Sequence, residues 1–138
     1  MTLDRELLRK RCEEITDACD RLDRIAGIPR DSFLKDQDTH DIASYRLLVA
    51  IEAALNICYH FCSKQLTRVP ENYAQCFQLL GEAGIISVEL SNTLQRMARF
   101  RNLLVHVYYH VDDEQLYEII GNHLGDLKWF CNSIMNGT

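Results

Sequence analysis

The stretch Leu47-Leu48-Val49-Ala50-Ile51-Glu52-Ala53-Ala54-Leu55-Asn56-Ile57-Cys58-Tyr59 is apolar nearly all the way round a helical projection. A helix with a single apolar stripe packs against one neighbour, whereas one that is apolar on every side has to be enclosed by several. The chain is therefore expected to wrap other helices around this segment, in a helix running over about 39–66. The rest of the sequence allows this, since two prolines and six glycines leave long stretches without helix breakers.

Leu3, Leu7, Leu8, Ile15, Ala18, Cys19, Leu22 and Ile25 recur at helical spacing, predicting a first helix over about 3–26 that ends at Gly27, with Pro29 beyond. Residues 31–35 read as a short turn, and the polar run 36–41 offers caps for the central helix. Pro70 breaks the chain, a shorter helix is expected over 72–82, and Ser87 caps a fourth helix over about 88–109. Its inward stripe is Leu90, Leu94, Met97, Ala98, Leu104 and Val105. Asp112 and Gln115 resemble a capping box opening a fifth helix to about 134, in which Gly121 and Gly125 either weaken the helix or let a neighbour approach. No repeat or linker intervenes. The expectation is all-α, a four- to five-helix up-and-down bundle forming one domain over 1–138.

A chain of 138 residues with a formal net charge of −5 has the wrong sign to hold nucleic acid over a broad surface, so any such contact is local. Basic residues gather as Arg96, Arg99 and Arg101, while Asp112, Asp113, Glu114 and Glu118 follow. A solvated helix face accounts for Arg96 and Arg99 as well as phosphate attraction does. No run reaches the ~18 apolar residues of a membrane span, and the charged N-terminus does not resemble a signal peptide, so no membrane association and a cytoplasmic location are expected. Six cysteines without a CxxC read as buried thiols of a reducing compartment. Cys58 and Cys62 lie one turn apart, but His60 points away from their face, so no metal and no cofactor are expected there.

Chemistry concentrates in Arg101-Asn102-Leu103-Leu104-Val105-His106-Val107-Tyr108. Arginine holds phosphate through a planar fork of donors, and histidine both takes and gives a proton near neutrality. At 100° per residue, Asn102 and His106 share a face, while Arg101 and His106 are separated by ~140°, so they converge only if the helix end deforms or a second chain supplies one of them. Asn102 can orient the imidazole or bind the phosphate. His40, His60 and His123 have no partners at catalytic spacing and are read as structural or solvated, and His110, one turn beyond His106, reads equally as a contact to RNA or as an exposed terminal residue. Tyr45, Tyr59, Phe61, Tyr73 and Phe77 are read as core. The bland alternatives are His106 as a C-terminal cap, Arg101 in a surface ion pair with Asp112 or Glu114, and Tyr108 at the rim of the core.

Arg, four residues, His, one residue, Tyr, with Asn after the Arg, resembles the signature of the HEPN superfamily and of its HepT toxin branch in particular. The likeness extends through Ile51 to Cys58, Arg68-Val69-Pro70-Glu71, Ala83-Gly84 and Val111 to Glu114. The resemblance implies a homodimer in which the Arg and His of both protomers line one cleft. It also implies metal-independent endoribonuclease activity on tRNA or mRNA, with Arg101 and His106 catalytic and Asn102 supporting. The products would be a 2′,3′-cyclic phosphate and a 5′-hydroxyl. It further implies a toxin of a type VII-like toxin–antitoxin pair, neutralised when an MNT-type nucleotidyltransferase antitoxin adenylylates Tyr108. The alternative is a non-catalytic helical adaptor that binds a nucleotidyltransferase or a nucleotide.

Overall fold

The computed structural model describes residues 2–106 and 112–136, with His106 described in its backbone only. Seven α-helices occupy them: α1 (Arg5–Ala26), α2 (Arg30–Lys35), α3 (Gln37–Phe61), α4 (Tyr73–Glu82), α5 (Val88–His106), α6 (Asp113–Asn122) and α7 (Leu124–Asn136). Helix α3 touches each of the other six. Its buried residues Ala50, Ile51, Ala53, Ala54, Leu55, Ile57 and Cys58 cover an arc of about 200°, wider than a single stripe, with Glu52 and Asn56 on the exposed remainder, which is why several helices pack around it. By length and composition the segment Gln37–Leu66 could cross a membrane, yet half of its most apolar window is buried inside the bundle.

Helix α1 lays Leu8, Cys12, Ile15, Cys19 and Leu22 along one face, a stripe at intervals of four and three that docks onto α3. Its N-terminus is closed by Asp4, whose carboxylate accepts from the Leu7 N–H at 3.1 Å. The same chemistry starts the others: Asp36 caps α3, Asn72 caps α4, Ser87 accepts from Leu90 N–H at 3.1 Å, and Asp112 accepts from Gln115 N–H at 3.0 Å. The caps expected at Ser87 and Asp112 are thus in place.

Three boundaries differ from expectation. Residues 30–35 complete a short helix, because Phe33 is fully buried and anchors it between α3 and α6. The central helix does not continue regularly to 66. It passes at Cys62–Leu66 into a π-helical turn that ends at Thr67 in the left-handed region, φ 49°. The expected fifth helix divides at His123, whose ring is held between Asp126 at 2.8 Å and Glu118 at 3.2 Å. Gly121 and Gly125 flank that break and no neighbour comes close to either, so they relax the helix and do not admit a partner.

The close approach lies elsewhere. A Cβ on Gly81 would meet Ser91 at 2.7 Å, and Ser91 Oγ donates to Phe77 O at 2.8 Å, so α4 and α5 are drawn together at this point. Gly84, at φ +75°, closes α4 beyond its last turn, where Ile85 N–H reaches back to Leu80 O at 3.0 Å.

Candidate functional site

Residues 101–106 of the motif form the C-terminal end of α5, where α3 and the start of α4 flank Arg101. Arg101 is largely enclosed there, its side chain 13% exposed. Its Nε–H donates to Glu52 Oε1 on α3, and its guanidinium lies over the Tyr73 ring of α4, with Cζ 4.5 Å from the centroid. The rings of Tyr59 on α3 and Tyr73 meet edge to face with centroids 6.0 Å apart. A cation on an aromatic face contributes about 0.5–2 kcal/mol according to how dry it is. The greater consequence here is orientation, because a planar cation between a carboxylate and a ring has few alternative poses.

One NH1 donor of Arg101 reaches Asn102 Oδ1 at 3.2 Å. A guanidinium has five donors. With Nε–H on Glu52 and one NH1 hydrogen on Asn102, NH2 and the remaining NH1 hydrogen have no partner among the described residues. Two such donors on one guanidinium can meet two phosphate oxygens. The surface pair considered for Arg101 with Asp112 or Glu114 does not form: Asp112 caps α6 and Glu114 binds Arg30.

The three clustered arginines separate. Arg101 turns to α3, and Arg99 is exposed beside α4. Arg96 lines a small crevice against α6 with Thr93, Met97, Gln115, Glu118, Ile119 and His123. Asn102 is exposed and lines a larger groove between α4 and α5. His106 ends α5, one turn beyond Asn102 on the same face by register. The imidazole of His106 and all of Tyr108 lie outside the described residues.

His110 lies outside the described residues, and His40, His60 and His123 are engaged structurally. His40 is buried, with Nε2 against Phe33 O and Nδ1 3.1 Å from Asp113, close enough to feel its charge but not aligned as a hydrogen bond. His60 Nε2 accepts from the Asp4 N–H at 2.8 Å. All six cysteines are free and buried. Folding brings Cys76 to the pair Cys58 and Cys62, with the three sulfurs within 4.8 Å of one another and the Cys62 and Cys76 sulfurs 3.8 Å apart. Three thiols at that spacing are a donor set suited to a soft cation, and equally a well-packed apolar cluster. Burial pushes the Cys58 thiol far up, which opposes formation of the thiolate a cation needs.

Glu52 is not singled out by the sequence; of the aromatics read there as core, Phe61 and Phe77 are buried, Tyr59 is half-buried, Tyr73 is half-buried under the Arg101 guanidinium, and Tyr45 is exposed. Glu52 had one legible signal, as the lone charge in the apolar run that forms the central helix, since a carboxylate there has to find a cation. Tyr73 had none, because an aromatic in an apolar context is indistinguishable from core.

Comparison with known proteins now decides the assignment. The family described as ribonuclease HepT-like matches residues 15–134. The chain belongs to this family. It is 28% identical over 102 residues, 74% of this chain and 77% of the relative, to the mRNA nuclease HepT of Shewanella oneidensis. It is 27% identical over 128 residues, 93% of this chain and 87% of the relative, to the tRNA nuclease HepT of Aphanizomenon flos-aquae. Its fold is that of the tri-AMPylated Shewanella oneidensis HEPN toxin solved in complex with an MNT antitoxin. The TM-score is 0.86 at 24% identity, over 94% of this chain and 97% of that one. The HepT-like family and the all-helical HEPN fold implied by the motif are therefore those of the chain, and its named relatives are ribonucleases.

Proposed function

We propose that this HepT-like chain is the toxin of a toxin–antitoxin pair, an endoribonuclease that cuts RNA without a metal. The observation that carries this reading is the posture of Arg101. Glu52 and Tyr73 hold it, Asn102 steadies it, and its remaining donors are left for a phosphate. A donor held in advance of the reaction stabilises charge developing on the phosphoryl oxygens without having to reorganise. His106 would move protons between the ribose 2′-OH and the leaving 5′ oxygen. One histidine serves one transfer at a time, so a base and an acid acting together call for two copies of the chain with their α5 ends facing one cleft. RNA as substrate, the homodimer and a cytoplasmic site of action belong to this reading.

Tyr108, two residues beyond His106, is the acceptor we assign for adenylylation by an MNT-type nucleotidyltransferase. An AMP group there would bring negative charge to the phosphate-binding edge and repel RNA. The named relatives cut mRNA in one case and tRNA in the other, and this chain is expected to act on one of these classes.

The test is cleavage of total RNA by purified wild-type protein and His106→Ala in EDTA, with fragment ends mapped. Cleavage by the wild type alone, leaving 2′,3′-cyclic phosphates, is the expected result. Intact RNA from a folded dimer that mass spectrometry shows unmodified at Tyr108 would overturn the reading in favour of an adaptor for the nucleotidyltransferase.

A further inference from the structure

The groove beside Asn102 has a distinctive chemistry. It encloses 450 Å³ between two facing stripes, Asn72 at the N-cap of α4 with Ala74, Gln75 and Gln78 following, and Gln95, Arg99 and Asn102 on α5. Five of these seven side chains are amides, one is an exposed cation with no ion pair among the described residues, Ala74 is apolar, and no carboxylate of the described residues lines the space.

Each amide has one end engaged and one end without a partner among the described residues. Asn72 Oδ1 accepts from Gln75 N–H, Gln75 Oε1 from Glu71 N–H, and Asn102 Oδ1 from Arg101, so three amide nitrogens remain. Gln78 Nε2 donates to Glu82 and Gln95 Nε2 to Ser91 Oγ, so two carbonyl oxygens remain. Donors and acceptors placed together fit the edge of a nucleobase, which also presents both; a bare anion would need donors alone. Arg99 adds a charge suited to phosphate or to the face of a base.

The groove is continuous with the proposed site. Gln95, Arg99, Asn102 and His106 stand at positions i, i+4, i+7 and i+11 of α5, within ~30° of one line along the helix. Asn102 belongs to both places, with its oxygen on Arg101 and its nitrogen at the groove. A strand with its scissile phosphate on Arg101 would therefore lay a neighbouring base along the groove.

We propose that the α4–α5 groove is a nucleobase subsite that reads an unpaired base next to the scissile phosphate of single-stranded RNA, through Gln75, Gln78 and Gln95 with Arg99 on the backbone. This rests on the ribonuclease reading for its register. It explains how an acidic protein selects RNA, by local hydrogen bonds to a splayed base and not by a broad basic surface.

The test uses randomised single-stranded RNA in two forms. A 2′-fluoro library, which lacks the attacking hydroxyl, reports binding preference by sequencing of the bound fraction, and an unmodified library reports cutting. Wild type is expected to enrich a base identity at one position. Gln78→Ala and Gln95→Ala, singly and together, are expected to flatten that preference and weaken binding of the enriched sequence about tenfold.

An unchanged preference in both variants overturns the subsite, as does cutting by wild type with no base preference in either library; both leave the nuclease reading standing. Enrichment lost in the variants while the unmodified library stays uncut keeps the subsite and overturns the nuclease reading. Variants that bind RNA as wild type does but release a second copy of the chain or the nucleotidyltransferase in gel filtration overturn the subsite in favour of a protein interface.

Discussion

Two crevices flank α5, each carrying an arginine from the same helix and separated by three residues of sequence. The crevice against α6 holds Arg96 with 180 Å³ of space, and its lining includes Glu118 and His123, which pair with each other at 3.2 Å. The crevice against α4 holds Arg99 with 450 Å³ and contains no carboxylate of the described residues. The first also holds a paired carboxylate and imidazole beside its arginine, which itself reaches Thr93, and the other leaves a cation and five half-used amides. This asymmetry is what the proposed subsite on the α4 side rests on.

The largest effect is expected at the head of the α4 side. Arg101→Ala should lower RNA cleavage by about 10³-fold, the loss typical of a removed charge-stabilising donor, while circular dichroism shows the helical fold retained. Retained cleavage would remove Arg101 from the mechanism and with it the link between the groove and the chemistry.

Gly81→Ala comes next. The new methyl meets Ser91 at 2.7 Å and wedges α4 from α5, with an expected cost of about 1–3 kcal/mol and a Tm lower by several degrees in thermal melts. The same substitution at Gly121, where a Cβ meets nothing within 4 Å, should be neutral or slightly stabilising. Equal effects at the two glycines would show that the α4–α5 contact is not the tight one.

Glu52→Gln keeps an oxygen for Arg101 Nε but removes the charge that pins it. Cleavage should fall about tenfold in kcat with little change in KM, since a slightly misaligned donor harms the transition state more than binding. A change confined to KM would mean that Glu52 acts on the substrate directly.

The smallest effect tests the comparison itself. Arg99→Ala should weaken RNA binding by about threefold to tenfold and reduce its salt dependence by about one phosphate contact, whereas Arg96→Ala leaves both unchanged. Equal losses from both would mean that α5 presents a general basic face and that the two crevices do not differ in function.

Most helices were legible because the information that specifies them is local. Leu8, Ile15, Cys19 and Leu22 declare a face by spacing, and Ser87 and Asp112 declare a start by the hydrogen bond their side chains offer. Cys62–Leu66 and His123 were misread as helix interior, because neither the π-helical turn nor the break has a strong breaker. One ends on Thr67 and the other rests on contacts of His123 with Glu118 and Asp126.

The candidate site divides along the same line. Arg101, Asn102, His106 and Tyr108 stand close in sequence at recognisable intervals, and that spacing, together with stretches such as Ile51 to Cys58 and Val111 to Glu114, carries the likeness to the HepT-like family. Glu52 is 49 positions from Arg101, Tyr73 is on another helix, and the groove exists only where α4 is drawn onto α5 at Gly81. From the sequence alone came the family, the all-helical bundle with α3 at its centre and the residues proposed to carry the chemistry, because periodicity and motif spacing act over one or two helical turns. Only the tertiary structure decided which donors of Arg101 are engaged by Glu52 and Asn102 and which amides share the groove with Arg99 and Asn102. Those depend on the relative placement of α3, α4 and α5, which packing sets across the bundle and which no local interval encodes.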